Sequence, residues 1–195
     1  MKKNILILIT ILSHYASAQK LDTTQIYIVE PKVGLKNYPI DKTKLPEIIT
    51  AFGNNYEKNQ NFIFMKSKEI PEFYEVKYKS QGISFYFFDN DSTQTIKAVK
   101  FYKPFKAKTT TNIILNQSNF RKVLKKDKDS KIVISRSDQY SKVSVDAFRL
   151  TTTGISFSSQ IANFDKNKFP SKEALKRMVI DEIYISNYQY FIFLD

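Results

Sequence analysis

Hydrophobic and polar positions alternate most regularly between Glu72 and Phe88. Tyr74, Val76 and Tyr78 interleave with Glu75, Lys77 and Lys79, which predicts a strand over Glu72–Lys79 with one buried and one wet face. Gly82–Phe88 is apolar on both faces, with Ile83, Phe85 and Phe87 on one side and Tyr86 and Phe88 on the other, the pattern of a strand in the middle of a sheet. Asp89–Thr95 reads as a polar turn, and Ile96, Val99 and Phe101 return with a spacing of three that implies a bulge. Upstream, Leu45, Ile48, Ile49 and Phe52 form one apolar stripe of a helix that Asp41 or Thr43 can cap and Gly53 can end. A strand is expected at Gln25–Glu30, a polar loop over Asn54–Asn61 and a further strand at Phe62–Ser67.

The second half repeats this pattern. Gly82-Ile83-Ser84-Phe85 returns as Gly154-Ile155-Ser156-Phe157, displaced by 72 residues, and Ile96, Val99 and Phe101 return as Ile180, Ile183 and Ile185, displaced by 84. The helix stripe returns as Phe120, Val123 and Leu124 behind Ser118, a good N-cap, after a Thr-rich connector at Thr109–Thr111. Strands follow at Lys131–Ser135 and Ser141–Leu150. The second hairpin carries 12 extra residues; its connection, about Ser159–Val179, contains a short helix over Lys172–Met178 capped by Ser171. Tyr188–Leu194 has the composition of a closing strand. The expected class is α+β: two tandem repeats, 19–108 and 109–195, each a short helix followed by a three- or four-stranded antiparallel sheet.

Lys2 and Lys3, the apolar run Ile5–Leu12 and Ala16-Ser17-Ala18 match a secretory signal peptide over residues 1–18, cut before Gln19. The expected mature chain is therefore exported, periplasmic or extracellular and soluble; with no cysteine at the cut it is not a lipoprotein, and no further stretch is apolar enough to span a membrane. Removing Lys2 and Lys3 leaves a formal charge of +10 from +12, still strongly basic.

His14, the only histidine, lies in the leader, and the chain has no cysteine. Ser-His and Cys-His catalysis, thiol redox chemistry and imidazole or thiolate zinc sites are therefore excluded from the mature chain, and no phosphate-cradling glycine loop occurs. Carboxylates at Glu69, Glu72 and Glu75 or at Asp89 and Asp91 leave a carboxylate-based hydrolase as a third-ranked reading, although Asp89-Asn90-Asp91-Ser92 is a set of turn formers without the pattern of a calcium loop. No cofactor or metal is expected, and a non-enzyme is the leading reading. Lysines at 97, 100, 103, 106 and 108 interleave with Phe101, Tyr102 and Phe105, and a second cluster (Arg121, Lys122, Lys125, Lys126, Lys128, Lys131) lies on the polar side of the second helix and beyond it. Export argues against nucleic acid for both, while an acidic protein or an anionic envelope surface is compatible. Residues shared by the repeats are expected in the core, so binding residues are sought where the copies differ: Phe164 and Phe169 in the insertion, Asp89 and Asp91 in the first turn, and Lys100 and Tyr102 on the return strand.

With its helix stripes at Leu45, Ile48, Ile49 and at Phe120, Val123, Leu124, each followed by strand pairs, the layout resembles the β-lactamase inhibitory protein architecture, of which the small envelope-assembly lipoproteins have a single unit. The chain lacks the cysteines of both, and no functional residue is carried over. The resemblance implies a sheet surface that binds proteins, without catalysis. The leading expectation is an exported binding protein, in the manner of an inhibitor or a toxin-immunity protein, with an unidentified protein partner. The alternative is an envelope structural or assembly component contacting anionic surfaces.

Overall fold

The computed structural model describes residues 22, 24–61, 71–126, 131–135, 146–161 and 170–188. The expected leader, the strand at 62–67, Glu69, Phe164, Phe169 and the end of the chain after Tyr188 lie outside the described residues. The described chain is mixed α+β, with three helices and two sheets that are mostly antiparallel.

Among the described residues, eight strands form the large sheet: β4 (Glu57–Asn61), β5 (Phe73–Tyr78), β6 (Ile83–Phe88), β7 (Ala98–Tyr102), β9 (Lys131–Ser135), β10 (Asp146–Thr152), β11 (Ile155–Ile161) and β12 (Glu182–Ser186). Their order is β4-β5-β6-β7-β12-β11-β10-β9, so the first-half strands meet the second-half strands at a β7–β12 seam. Every pairing in it is antiparallel. At the seam Phe101 faces Ile183, Lys100 faces Tyr184 and Val99 faces Ile185. The both-sides-apolar segment is central as expected, with β6 lying between β5 and β7 and Ile83, Phe85 and Phe87 wholly buried. The amide of Lys97 donates to Tyr86 O, whose cross-strand partner is Ala98; two residues thus face one, as in a bulge.

One face of this sheet packs on the three helices, α1 (Leu45–Phe52), α2 (Phe120–Lys126) and α3 (Lys172–Arg177), and on a small sheet. The small sheet comprises β1 (Tyr27–Glu30), β2 (Gly34–Leu35), β3 (Tyr38–Pro39) and β8 (Ala107–Thr109) in the order β3-β2-β1-β8. Val29, Ile48, Phe52, Phe85, Val99, Phe101, Phe120, Val123, Leu175 and Ile183 belong to one shared core.

Several expectations are corrected. Asn54–Asn61 is not all loop, because Glu57–Asn61 pairs with β5 as an edge strand; its polar sequence is how an edge resists further pairing, and it conceals the strand from a hydrophobicity pattern. Helix α1 starts after Lys44 rather than at Asp41 or Thr43, and Glu47 Oε2 accepts from the Lys44 amide at 2.7 Å. Ser118 does not cap α2: its hydroxyl accepts from Ile114 N at 2.9 Å, and Asn119 Oδ1 accepts from Lys122 N at 3.1 Å instead. The Thr-rich connector begins as β8, which pairs in parallel with β1. Ser171 caps α3 as expected, its hydroxyl accepting from Ala174 N at 3.1 Å.

Candidate binding surface on the large sheet

Because side chains alternate along a strand, the face turned away from the helices carries the other set: Glu75 and Lys77 of β5, Ser84 and Tyr86 of β6, Lys100 and Tyr102 of β7, Glu182 and Tyr184 of β12, and Arg149 of β10. Registers set far-apart lysines, tyrosines and an arginine side by side. The Lys77 ammonium lies 5.8 Å from the Tyr102 ring, Lys100 lies 5.8 Å from Tyr102 and 4.9 Å from Tyr184, and the Arg149 guanidinium lies 5.1 Å from Tyr184. The result is a row of alternating cations and aromatic rings running across the seam.

Two carboxylates balance the row. Glu182 Oε1 is 2.7 Å from Lys100 Nζ, and Glu75 accepts from Asn59 Nδ2 at 3.0 Å and from Tyr86 Oη at 3.2 Å. Burial alone would lower the Lys100 ammonium, but Tyr184 and Glu182 outweigh it and hold its pKa above the ordinary lysine value. Burial pushes the Tyr184 phenol up to about 12, and Tyr86 rises well above its usual value for the same reason. All three phenols of the row and its flank (Tyr86, Tyr102, Tyr184) stay protonated at neutral pH, so they act as apolar rings with a hydroxyl donor. Exposure is graded along the row: Lys77, Glu75, Lys100 and Tyr102 are half-buried, whereas Tyr184 and Arg149 are buried. At the accessible end, Lys77 also lines an open groove with Asn55, Tyr56, Glu57, Lys79 and Ser80.

The expected site residues divide. Lys100 and Tyr102 both lie in the row. Asp89 is exposed and accepts from Gln60 Nε2 across the sheet edge. Asp91 belongs to a separate knot at the β6–β7 turn, where it accepts from the Thr93 hydroxyl at 2.5 Å and lies 2.9 Å from Lys97 Nζ. Lys97 also reaches Asp41 at 3.4 Å, and Asp41 in turn accepts from Asn187 Nδ2 at 2.8 Å and Tyr188 Oη at 3.1 Å. The Thr93 hydrogen bonds, together with Lys97, hold the Asp91 carboxyl well below the usual carboxylate range. That knot ties the turn to residues before α1 and after β12, a fastening role. Among the described residues, no three acidic side chains converge as metal ligands would.

Sequence reasoning missed Lys77, Glu182, Tyr184 and Arg149. Tyr184 was visible as the residue opposite Lys100 had the seam been foreseen; Arg149 and Lys77 read as ordinary outward positions until the strand registers are known. No protein-family model, curated protein or solved structure matches this chain.

Proposed function

We propose that this chain is an exported, non-catalytic binding protein that holds another macromolecule on the outer face of its large sheet. The cation–aromatic row carries this reading. Tyr102, with Lys77 and Lys100 beside it, is the accessible part of that row; tyrosine is enriched among the energetically dominant residues of protein interfaces, and a ring already flanked by cations loses little side-chain entropy on binding. An inhibitor or an immunity protein against a secreted toxin is the form this function takes, and a toxin gene beside its own is the cheap check.

The proposal includes an internal duplication, supported by parallel detail in the two halves. Ile83 pairs with Phe101 as Ile155 pairs with Ile185. Lys58 pairs with Val76 as Ile132 pairs with Leu150, both members displaced by 74. Asp41 N donates to Ile96 O at 2.7 Å and Asn116 N to Ile180 O at 2.7 Å, with φ of 63° at Asp41 and 60° at Asn116. Two such modules joined edge to edge supply a sheet twice as wide as either alone, which is also the basis of the proposed likeness to the tandem inhibitory proteins.

Capture from a cell-envelope extract tests the reading. Wild-type protein at micromolar concentration is expected to retain a partner that Tyr102→Ala and Lys77→Ala lose and Lys42→Ala keeps. Equal recovery by all variants, or no recovery by wild type, counts against it.

A further inference from the structure

Helices α2 and α3 lie side by side, joined by a hydrogen bond from Asn119 Nδ2 to Lys176 O of 3.0 Å. Their buried side chains are apolar: Phe120 and Val123 on α2 and Leu175 on α3. Their remaining surface is cationic, with Arg121, Lys125 and Lys126 on one helix and Lys172, Lys176 and Arg177 on the other. Lys122, which reaches Ser118 Oγ at 3.3 Å, is the seventh cation, and Glu173 is the only carboxylate within the two helices. Glu173 is 2.7 Å from Lys176 and also within Coulombic reach of Arg121 and Arg177, so the charges of the two helices form one patch. The net of +6 on these 13 residues is half the formal charge of the whole chain, +12. Helix α1, which occupies the corresponding place in the first half, carries no cation.

We infer that the α2–α3 face is a docking surface for an anionic phospholipid bilayer, independently of the sheet-face reading. Charge complementarity makes the partner anionic. Five of the seven cations are lysines, flexible point charges suited to a diffuse field rather than to bidentate recognition of a fixed phosphate. The only aromatic side chain of the two helices, Phe120, is wholly buried, so no platform for stacking bases is offered. Beside the patch, Val179 is 41% exposed and Met178 half-buried, which places apolar side chains next to the cations, as at membrane interfaces.

Vesicle co-sedimentation of the full chain tests this. Binding is expected to phosphatidylcholine vesicles containing phosphatidylglycerol in excess of that to pure phosphatidylcholine, and to vanish near 0.5 M salt, where the screening length falls to roughly 4 Å. K125E/K126E and K172E/K176E should each lower the partition coefficient about ten-fold or more, while K36E/K42E, of equal net charge, stays within about two-fold. Equal binding to both vesicles overturns the inference, as does a K36E/K42E loss matching the patch variants. Displacement from the vesicles by equimolar duplex DNA or polyglutamate also overturns it and reassigns the face. The wild-type vesicle and salt comparisons stand even for a patch variant that fails to fold.

Discussion

Replacing Glu182 by Gln isolates the electrostatics of the seam. The acid lies 2.7 Å from Lys100 Nζ, and the two side chains are 20% (Lys100) and 15% (Glu182) exposed. Removing one member of a fully buried pair costs about 3–5 kcal/mol, because the remaining ion is stranded. Partial solvent access here, and the Tyr102 and Tyr184 rings that still face the ammonium, reduce the expected cost to about 2 kcal/mol. For a chain of this size that corresponds to a fall in Tm of roughly 4–8 °C. Urea unfolding of wild type, E182Q, K100M and the double variant closes a cycle whose coupling energy should be about 2 kcal/mol. The pH dependence adds a sign. Lys100 has a folded pKa above its unfolded value, so its contribution is complete below about pH 10 and is lost as pH rises through the folded value. Alkaline destabilisation should therefore be shallower in K100M than in wild type. A coupling energy under about 0.5 kcal/mol would refute the reasoning, since it would mean that the pair behaves as a solvent-exposed surface contact.

Three further outcomes follow from the packing and the turn. Gly82 has φ of +71°, and a Cβ there would lie 2.2 Å from Tyr102 O and 2.6 Å from Phe105 N, both backbone atoms. G82A should cost more than about 3 kcal/mol, against about 1–2 kcal/mol for G53A, where nothing lies within 4 Å; chemical denaturation compares the two. F101A removes a wholly buried ring of the shared core and should cost about 3–5 kcal/mol in the same assay. Asp91 has a folded pKa below its unfolded value, so its contribution is present above about pH 4 and lost as pH falls further. Acid unfolding monitored by circular dichroism should accordingly show a flatter profile below pH 4 for D91N than for wild type.

What the chain discloses in one dimension is what local patterning controls. Tyr74-Val76-Tyr78 and Ile83-Phe85-Phe87 announce strands because alternation is a property of neighbours in sequence, and Ser171 announces α3 because a cap acts over three residues. Polar β4 is silent because its pairing with β5 uses backbone groups that any sequence possesses. The cation–aromatic row is silent for a different reason. Lys77, Tyr102, Tyr184 and Arg149 come together only through the five registers that join six adjacent strands, none of which periodicity specifies. Lys100 and Tyr102 were legible because they interrupt an apolar strand with a cation and a ring. The α2–α3 patch was half legible: the α2 lysines and arginine stand out as a run, whereas their union with α3 depends on tertiary packing.

The seam between β7 and β12 underlies everything claimed for the outer face, since it alone brings Lys100 beside Glu182 and joins the two four-stranded halves. Because the chain contains no cysteine, a single engineered pair reports on it without background. Ala98 and Ser186 are small, buried and directly opposed across the seam, and opposed residues of antiparallel strands are spaced within disulfide range. A98C/S186C should oxidise quantitatively to an intramolecular disulfide in the folded protein, as read by mass spectrometry of peptides and the loss of free thiols. Thiols that stay free under oxidant, or that pair only between molecules, would contradict a continuous eight-stranded sheet and remove the surface on which binding is proposed.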